Sequence, residues 1–83
     1  MDRKQEIRDY VAEHFLAGGR GLEDTTPLIS GGLIDSIGML GLISFMESRF
    51  GVEFMPREVD AHTLDNLNLI AALIDRKLAA NAS

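Results

Sequence analysis

The residues best suited to chemistry lie in the segment 31–37, whose sequence is GGLIDSI. A flexible glycine pair leads to an apolar anchor, then to Asp35, and then to Ser36 at the predicted start of a helix. We expect the Ser36 hydroxyl to be exposed, with room on the loop side for a large substituent. The Asp35 carboxylate can orient an incoming metal or cationic group, and the hydrophobic Ile37 follows on the helix. This arrangement favours modification of the Ser36 hydroxyl by a separate enzyme.

A plainer role for Ser36 is to cap the helix, which is a frequent use of serine after a loop. A serine hydrolase is not indicated, because the chain has no G-x-S-x-G motif. The two histidines do not indicate a catalytic triad, since His14 falls on an apolar helix face and His62 in a short turn. Metal binding is not indicated either, because the chain has no cysteine and its acidic residues are scattered.

Apolar residues recur at helical spacing near the start of the chain and predict a first helix. Asp2 and Gln5 resemble a capping box, and Gly18, Gly19 and Gly21 are expected to end the helix. The apolar stripe of this helix consists of Ile7, Tyr10, Val11, His14 and Phe15.

A long connection over residues 18–34 separates the first helix from the second. Its apolar residues make us expect that it lies across the helices and covers part of the core. The second helix is predicted from about Ser36 to Phe50, with Asp35 or Ser36 as its cap and Gly51 as its stop. Its main stripe consists of Met39, Leu42, Ile43, Met46 and Phe50, and Ile37, Leu40 and Phe45 extend the apolar surface beyond it.

The last third of the chain predicts one short and one long helix. Pro56 can open a helical turn over residues 56–61, and Thr63 can cap a fourth helix. The stripe of the fourth helix consists of Leu64, Leu67, Ile70, Ala71, Ile74 and Leu78. Residues 79–83 are expected to fray.

No alternation typical of strands persists anywhere, so the sequence predicts an all-α fold. We expect a small four-helix bundle with three main helices, one short third helix and a long first loop. The 83 residues are enough for one domain with one modest core, over residues 1–83 with the core at about 2–79.

Composition and charge exclude several classes of protein. No apolar run approaches the roughly 18 residues of a membrane span. Charged residues stand at the start, where a signal peptide would need an apolar stretch, so we expect a cytoplasmic protein. The net charge of −5 disfavours binding to nucleic acid, whose phosphates would repel the chain.

The segment 31–37 and the helices predicted around it resemble the acyl carrier protein family, over about residues 5–79. In that family a D-S-L or D-S-I tripeptide opens the second helix of a four-helix bundle. Residues 47–54, with the sequence ESRFGVEF, are similar to the end of that helix and the turn after it. The resemblance implies that Ser36 carries 4′-phosphopantetheine, transferred from coenzyme A by a phosphopantetheinyl transferase. It also implies that Asp35 helps the transferase and its magnesium ion to engage and that Ile37 contacts partner enzymes.

The resemblance further implies a carrier without catalytic activity, which delivers an acyl or aminoacyl group held as a thioester on the thiol of the attached group. One feature differs from carriers of bacterial fatty acid synthesis, because residues 37–50 contain a single acid, Glu47. We therefore expect a dedicated carrier in a specialised lipid or secondary-metabolite pathway. The length of 83 residues favours a free-standing carrier, which we expect to be monomeric. Its partners would be the transferase, a loading ligase or transferase, and downstream acyl-using enzymes, with Leu40 on the apolar contact face.

Two alternatives stay open at this point. One is an aminoacyl or peptidyl carrier loaded by an adenylating ligase, since nothing local to Ser36 fixes the cargo. The other is an unmodified helical interaction domain that binds a partner through the apolar face of residues 37–45.

Gly38 and Gly41 share a helix face and each costs about 1 kcal/mol relative to alanine. The first loop, the attached arm, its cargo or a partner could therefore approach that face closely.

Overall fold

The computed structural model describes residues 3–15 and 22–82 of the chain. Four α-helices follow one another as α1 (Arg3–Phe15), α2 (Ser36–Phe50), α3 (Ala61–Leu64) and α4 (Leu67–Ala82), with a 3₁₀ turn at Pro56–Glu58 before α3. The described residues contain no strand. The predicted all-α fold is therefore confirmed, as a small helical bundle with one short third helix. The predicted capping role of Asp2 and the stop at Gly18, Gly19 and Gly21 lie outside the described residues.

The core lies where α1, α2 and α4 face one another, and the apolar stripes of the three helices point into it. The buried side chains are Ile7, Val11, Leu22, Leu28, Ile34, Met39, Leu42, Ile43, Met46, Val52, Phe54, Leu64, Leu67, Ile70, Leu73 and Ile74. Three of these residues, Leu22, Leu28 and Ile34, come from the connection before α2. That connection therefore covers part of the core, as its composition predicts.

The ends of α2 follow from its flanking residues. Asp35 has extended backbone geometry and its side chain caps the first turn, so the helix begins at Ser36. Gly51 adopts a left-handed conformation with φ of 70°, and its N–H donates to the carbonyl of Glu47. This conformation suits glycine, which has no Cβ to clash with the preceding carbonyl, so the helix ends at Phe50.

The third and fourth helices differ from the sequence prediction in their boundaries. The predicted turn over residues 56–61 is a 3₁₀ turn that ends at Glu58, followed by a separate α-helix that Asp60 caps. Thr63 does not cap the fourth helix, because its N–H donates to the Asp60 carboxylate inside α3. The side chain of Asn66 accepts a hydrogen bond of 2.8 Å from the N–H of Leu69 in the first turn of α4. The end of the chain is also more regular than predicted, since α4 continues to Ala82.

Charged side chains join α1 to its neighbours at the surface. Arg3 pairs with Asp75 of α4 at 2.5 Å, and Glu6 pairs with Arg49 of α2 at 2.5 Å. Pairs of this kind on the surface contribute roughly 0–1 kcal/mol each, so packing of the apolar stripes dominates the stability. None of the described helices is long and apolar enough to span a membrane.

Candidate functional site

Ser36 is the first residue of α2, and its side chain is exposed. The Oδ1 atom of Asp35 accepts a hydrogen bond of 2.7 Å from the N–H of Gly38, and the Asp35 carbonyl accepts one of 2.9 Å from the N–H of Met39. Asp35 is therefore the cap of α2, and the Ser36 hydroxyl does not have that role. The plainer interpretation of Ser36, as a helix cap, is wrong.

Two glycines shape the backbone that leads to Ser36. A Cβ on Gly31 would come within 2.4 Å of the carbonyl oxygen of Pro27, closer than any real contact allows. Gly32 has a φ of 77°, in the left-handed region that glycine adopts without strain. The glycine pair is thus required by a close approach and by a positive φ, and not merely as a flexible joint.

An open groove of about 570 Å³ lies directly beside Ser36. Its lining is mainly apolar and comes from three parts of the chain: Ile29 and Ile34 before α2, Met39 and Leu40 on α2, and Val59 before α3. The polar side chains at the groove are Asp35, Ser36 and Asp60. A substituent on the Ser36 hydroxyl therefore has an apolar surface next to it.

The wall formed by Val59 and Asp60 is a part of the site that sequence reasoning missed. Asp60 caps α3, with its Oδ1 accepting from the N–H groups of His62 at 2.9 Å and Thr63 at 3.1 Å. An aspartate before a short helix is a recognisable cap, so that signal was available in the sequence. Its position beside Ser36 depends on the packing of α3 against the bundle, which no local pattern reports.

The outer face of α2 next to Ser36 is apolar and exposed. Ile37 retains 79% of its accessible surface and Leu40 retains 65%. The two charged residues of the helix are engaged elsewhere, because Glu47 accepts a hydrogen bond from the N–H of Phe54 and Arg49 pairs with Glu6. Among the described residues that line the groove beside Ser36, the charged side chains are those of Asp35 and Asp60.

The side chains that pack against the two glycines of α2 come from α1. A Cβ on Gly38 would come within 2.6 Å of Cε1 of Phe15, and one on Gly41 within 3.3 Å of the Tyr10 hydroxyl. The ring of Tyr10 stacks on Phe45 of α2 with 4.4 Å between centroids. Among the described residues, Phe15 of α1 therefore makes the close approach to Gly38 that the sequence left open to the first loop, an arm, its cargo or a partner, whereas Gly41 stays exposed.

Neither histidine lines the groove beside Ser36. His14 is exposed at the end of α1, where its ring stacks on Tyr10 and its Nδ1 atom lies 2.9 Å from the Tyr10 carbonyl oxygen. His62 is exposed in α3. Across residues 3–15 and 22–82, no three side chains of the metal-binding types come together in a way that could hold a metal ion.

No protein-family model matches the chain, and no curated protein matches it.

Proposed function

We propose that the chain is a cytoplasmic carrier protein, which holds an acyl or aminoacyl group on 4′-phosphopantetheine attached to Ser36. The observation that carries this proposal is the exposed Ser36 hydroxyl, which lies between an acidic cap and an apolar groove and is not used to cap the helix. The resemblance of residues 31–37 to the acyl carrier protein family supplies the identity of the group.

The residues at the start of α2 fit a phosphodiester on Ser36. The N-terminus of a 15-residue helix carries a partial positive charge and unpaired N–H groups, and both favour a phosphate at that position. The exposure of Ser36 allows a transferase to reach the hydroxyl. Asp35 keeps its other carboxylate oxygen for the magnesium ion or a cationic group of that transferase, because only Oδ1 is engaged by Gly38.

The groove offers a resting surface for the attached group and its cargo. Its volume of about 570 Å³ falls within the range of roughly 300–1,000 Å³ typical of ligand pockets. When bound, phosphopantetheine supplies a terminal thiol that holds an acid as a thioester. Its tether raises the effective concentration of the cargo at a partner's active site, so the chain needs no catalytic residue of its own.

The exposed apolar face of α2 supports a carrier with dedicated partners. Ile37 and Leu40 are exposed beside Ser36, whereas Glu47, the single acid of residues 37–50, bonds to the Phe54 N–H. A partner that recognised this face would do so through apolar contact more than through charge. This favours a specialised acyl carrier, and an aminoacyl carrier loaded by an adenylating ligase remains within the proposal.

The experiment that tests the proposal is covalent loading of Ser36. The purified chain is incubated with coenzyme A, magnesium and a broad-specificity phosphopantetheinyl transferase, and the intact mass is measured. We expect wild type and Ser44→Ala to gain one phosphopantetheine and Ser36→Ala to gain none. Ser44 is an exposed serine on the same helix, so it controls for modification at any surface hydroxyl. A folded wild type that gains no mass with this transferase or with any transferase from the same source would overturn the proposal.

The exposure of Ile37 and Leu40 favours one second candidate, an unmodified domain that binds a protein through α2. Two variants distinguish the carrier from the interaction domain. A carrier loses its loading with Ser36→Ala, whereas an interaction domain keeps its partner with Ser36→Ala and loses it with Leu40→Asp.

A further inference from the structure

Asp65 joins the connection before α2 to the junction between α3 and α4. Its Oδ1 atom accepts hydrogen bonds from the N–H groups of Ile29 at 2.8 Å and Ser30 at 2.9 Å, and its Oδ2 atom accepts one from the Ser30 hydroxyl at 2.7 Å. The carbonyl of Asp65 accepts a fourth bond of 2.5 Å from the N–H of Leu28. Asp65 thus accepts hydrogen bonds from three consecutive residues, 28–30. The described part of the connection, residues 22–35, has no helix or strand of its own.

The segment that Asp65 holds leads directly to Ser36. The N–H of Ile34 donates to the carbonyl of Leu28 at 2.9 Å, and the N–H of Gly32 donates to the carbonyl of Ile29 at 3.1 Å. These two bonds close residues 28–34 into a compact ring, and Ile34 is buried at its end. Because Asp35 and Ser36 follow Ile34 without a break, the position of the ring sets the position of the cap and of the serine hydroxyl.

The same residue also connects two of the segments that line the groove. Ile29 and Ile34 of the ring belong to one segment, and Val59 and Asp60 before α3 belong to the other. Asp60 caps α3, which has only four residues, and Asp65 follows at the C-terminal end of that helix. The hydrogen bonds from Ile29 and Ser30 hold the pKa of the Asp65 carboxyl below its ordinary value, with the Ser30 bonds the largest cause, so the carboxylate is ionised at neutral pH.

We propose that Asp65 is a positioning residue for the modification of Ser36, because it holds the ring of residues 28–34 in the arrangement that presents the hydroxyl beside the groove. The claim that Asp65 affects the modification of Ser36 rests on the proposed carrier function. The claim that Asp65 holds residues 28–34 in place rests on the hydrogen bonds alone. On this proposal, residues 28–34 are ordered before a transferase binds and do not fold only on binding. Loss of the hydrogen bonds to the Asp65 side chain would then reduce the fraction of molecules competent to bind the transferase without altering the chemical step.

The kinetic test measures transfer from coenzyme A to Ser36 at varied carrier concentration. We expect Asp65→Ala to raise the KM for the carrier roughly tenfold, since the apparent affinity falls with the competent fraction, and to leave kcat within about twofold. Asp65→Asn should retain most of the wild-type KM, because the amide oxygen still accepts from Ile29 and Ser30. Ser30→Ala keeps the carboxylate and removes one bond, so it should raise the KM by less. That variant keeps the proposal testable if Asp65→Ala does not fold.

The matched control is Ile74→Val, a buried substitution in α4 that lowers stability away from the ring. It should leave the KM unchanged. Amide hydrogen exchange, which needs no transferase, should show faster exchange at Gly32 and Ile34 in Asp65→Ala and unchanged exchange in Ile74→Val.

The positioning role would be overturned by a KM for Asp65→Ala equal to that of wild type, or by a KM raised to the same degree in Ile74→Val. Faster exchange confined to residues 29 and 30 would also overturn it, because the effect would then not reach Ser36. A wild type that accepts no phosphopantetheine would overturn the carrier function instead, and the exchange experiment would still decide whether Asp65 holds the ring.

Discussion

The ring of Phe15, the last residue of α1, lies directly over the α-carbon of Gly38 in the first turn of α2. A Cβ at that position would lie 2.6 Å from Cε1 and 3.0 Å from Cζ of the ring. The glycine is therefore needed for the approach of α1 to α2 near Ser36. Together with the stack of Tyr10 on Phe45 further along α2, this contact holds α1 against α2.

Replacement of Gly38 by alanine should destabilise the fold. The added methyl group must displace the Phe15 ring, and overpacking of this kind costs about 1 kcal/mol or more, which exceeds the gain in helix propensity in a first turn. We expect a free energy of unfolding about 1 kcal/mol below wild type in urea denaturation followed by circular dichroism.

Gly41→Ala is the matched control, because it adds the same methyl group to the same helix face. Its Cβ would meet only the hydroxyl tip of Tyr10 at 3.3 Å, which can move by a few tenths of an ångström. We expect a change between zero and a gain of about 1 kcal/mol from helix propensity. In the background of Phe15→Ala, the cost of Gly38→Ala should disappear. Equal effects of the two glycine substitutions would contradict the contact with Phe15.

Two substitutions separate the capping role of Asp35 from its proposed role in engaging the transferase. Asp35→Ala removes the cap and should lower the free energy of unfolding by about 1 kcal/mol, whereas Asp35→Asn keeps an acceptor for the Gly38 N–H and should lie within a few tenths of wild type. If the negative charge also helps the transferase to engage, both variants should be loaded at Ser36 more slowly than wild type by a similar factor. Loading of Asp35→Asn at the wild-type rate would show that only the cap matters.

The helix α2 could be predicted closely because its signals are local. Asp35 and Gly51 bracket an uninterrupted apolar stripe, and each has the backbone geometry that its residue type favours. The region from Glu58 to Leu69 was harder, because Asp60, Thr63 and Asn66 all have cap-forming side chains at three-residue intervals. The structure uses Asp60 and Asn66 and leaves Thr63 inside α3. Propensity alone does not choose among three equivalent caps.

The site could be predicted only in its local part. Ser36, Asp35 and Ile37 are adjacent in the chain, so a motif reveals them together. Asp65 contacts Ile29 and Ser30 from 36 and 35 residues away, and Val59, which lines the groove, lies 23 residues beyond Ser36. The identity of a hydrogen-bond partner at that separation depends on how α3 packs, and one sequence carries no signal of it.

The exposed apolar face of α2 predicts a separation between stability and partner recognition. Ile37 is 79% exposed, so Ile37→Asp should change the free energy of unfolding by no more than about 0.5 kcal/mol. The introduced charge should nevertheless slow the transfer of phosphopantetheine to Ser36, because a partner that buries this face would have to desolvate it.

The control for that variant is Ser48→Asp, which adds the same charge at an exposed position about 16 Å further along the helix. It should be loaded at the wild-type rate. An Ile37→Asp variant loaded as fast as Ser48→Asp would remove Ile37 from the contact face.

Acid should weaken the bundle at the contact between Glu58 and Lys77. Lys77 lies 2.7 and 2.9 Å from the two carboxylate oxygens, and the Met55 N–H donates to one of them. These hydrogen bonds, with the Lys77 bond the largest cause, hold the pKa of Glu58 below its ordinary value of 4.5. A carboxyl group with a lowered pKa in the folded state contributes stability above its unfolded pKa, and that contribution is lost as the pH falls through the lowered value.

Urea denaturation between pH 7 and pH 3 measures this contribution. Glu58→Gln should be less stable than wild type by about 1 kcal/mol near neutral pH, and the difference should shrink as the pH falls below 4.5. Lys77→Met should show the same convergence, because it leaves Glu58 without its cation, whereas Lys77→Arg should keep the wild-type dependence. A stability curve for Glu58→Gln that runs parallel to wild type down to pH 3 would mean that the ion pair contributes nothing to the acid sensitivity of the fold.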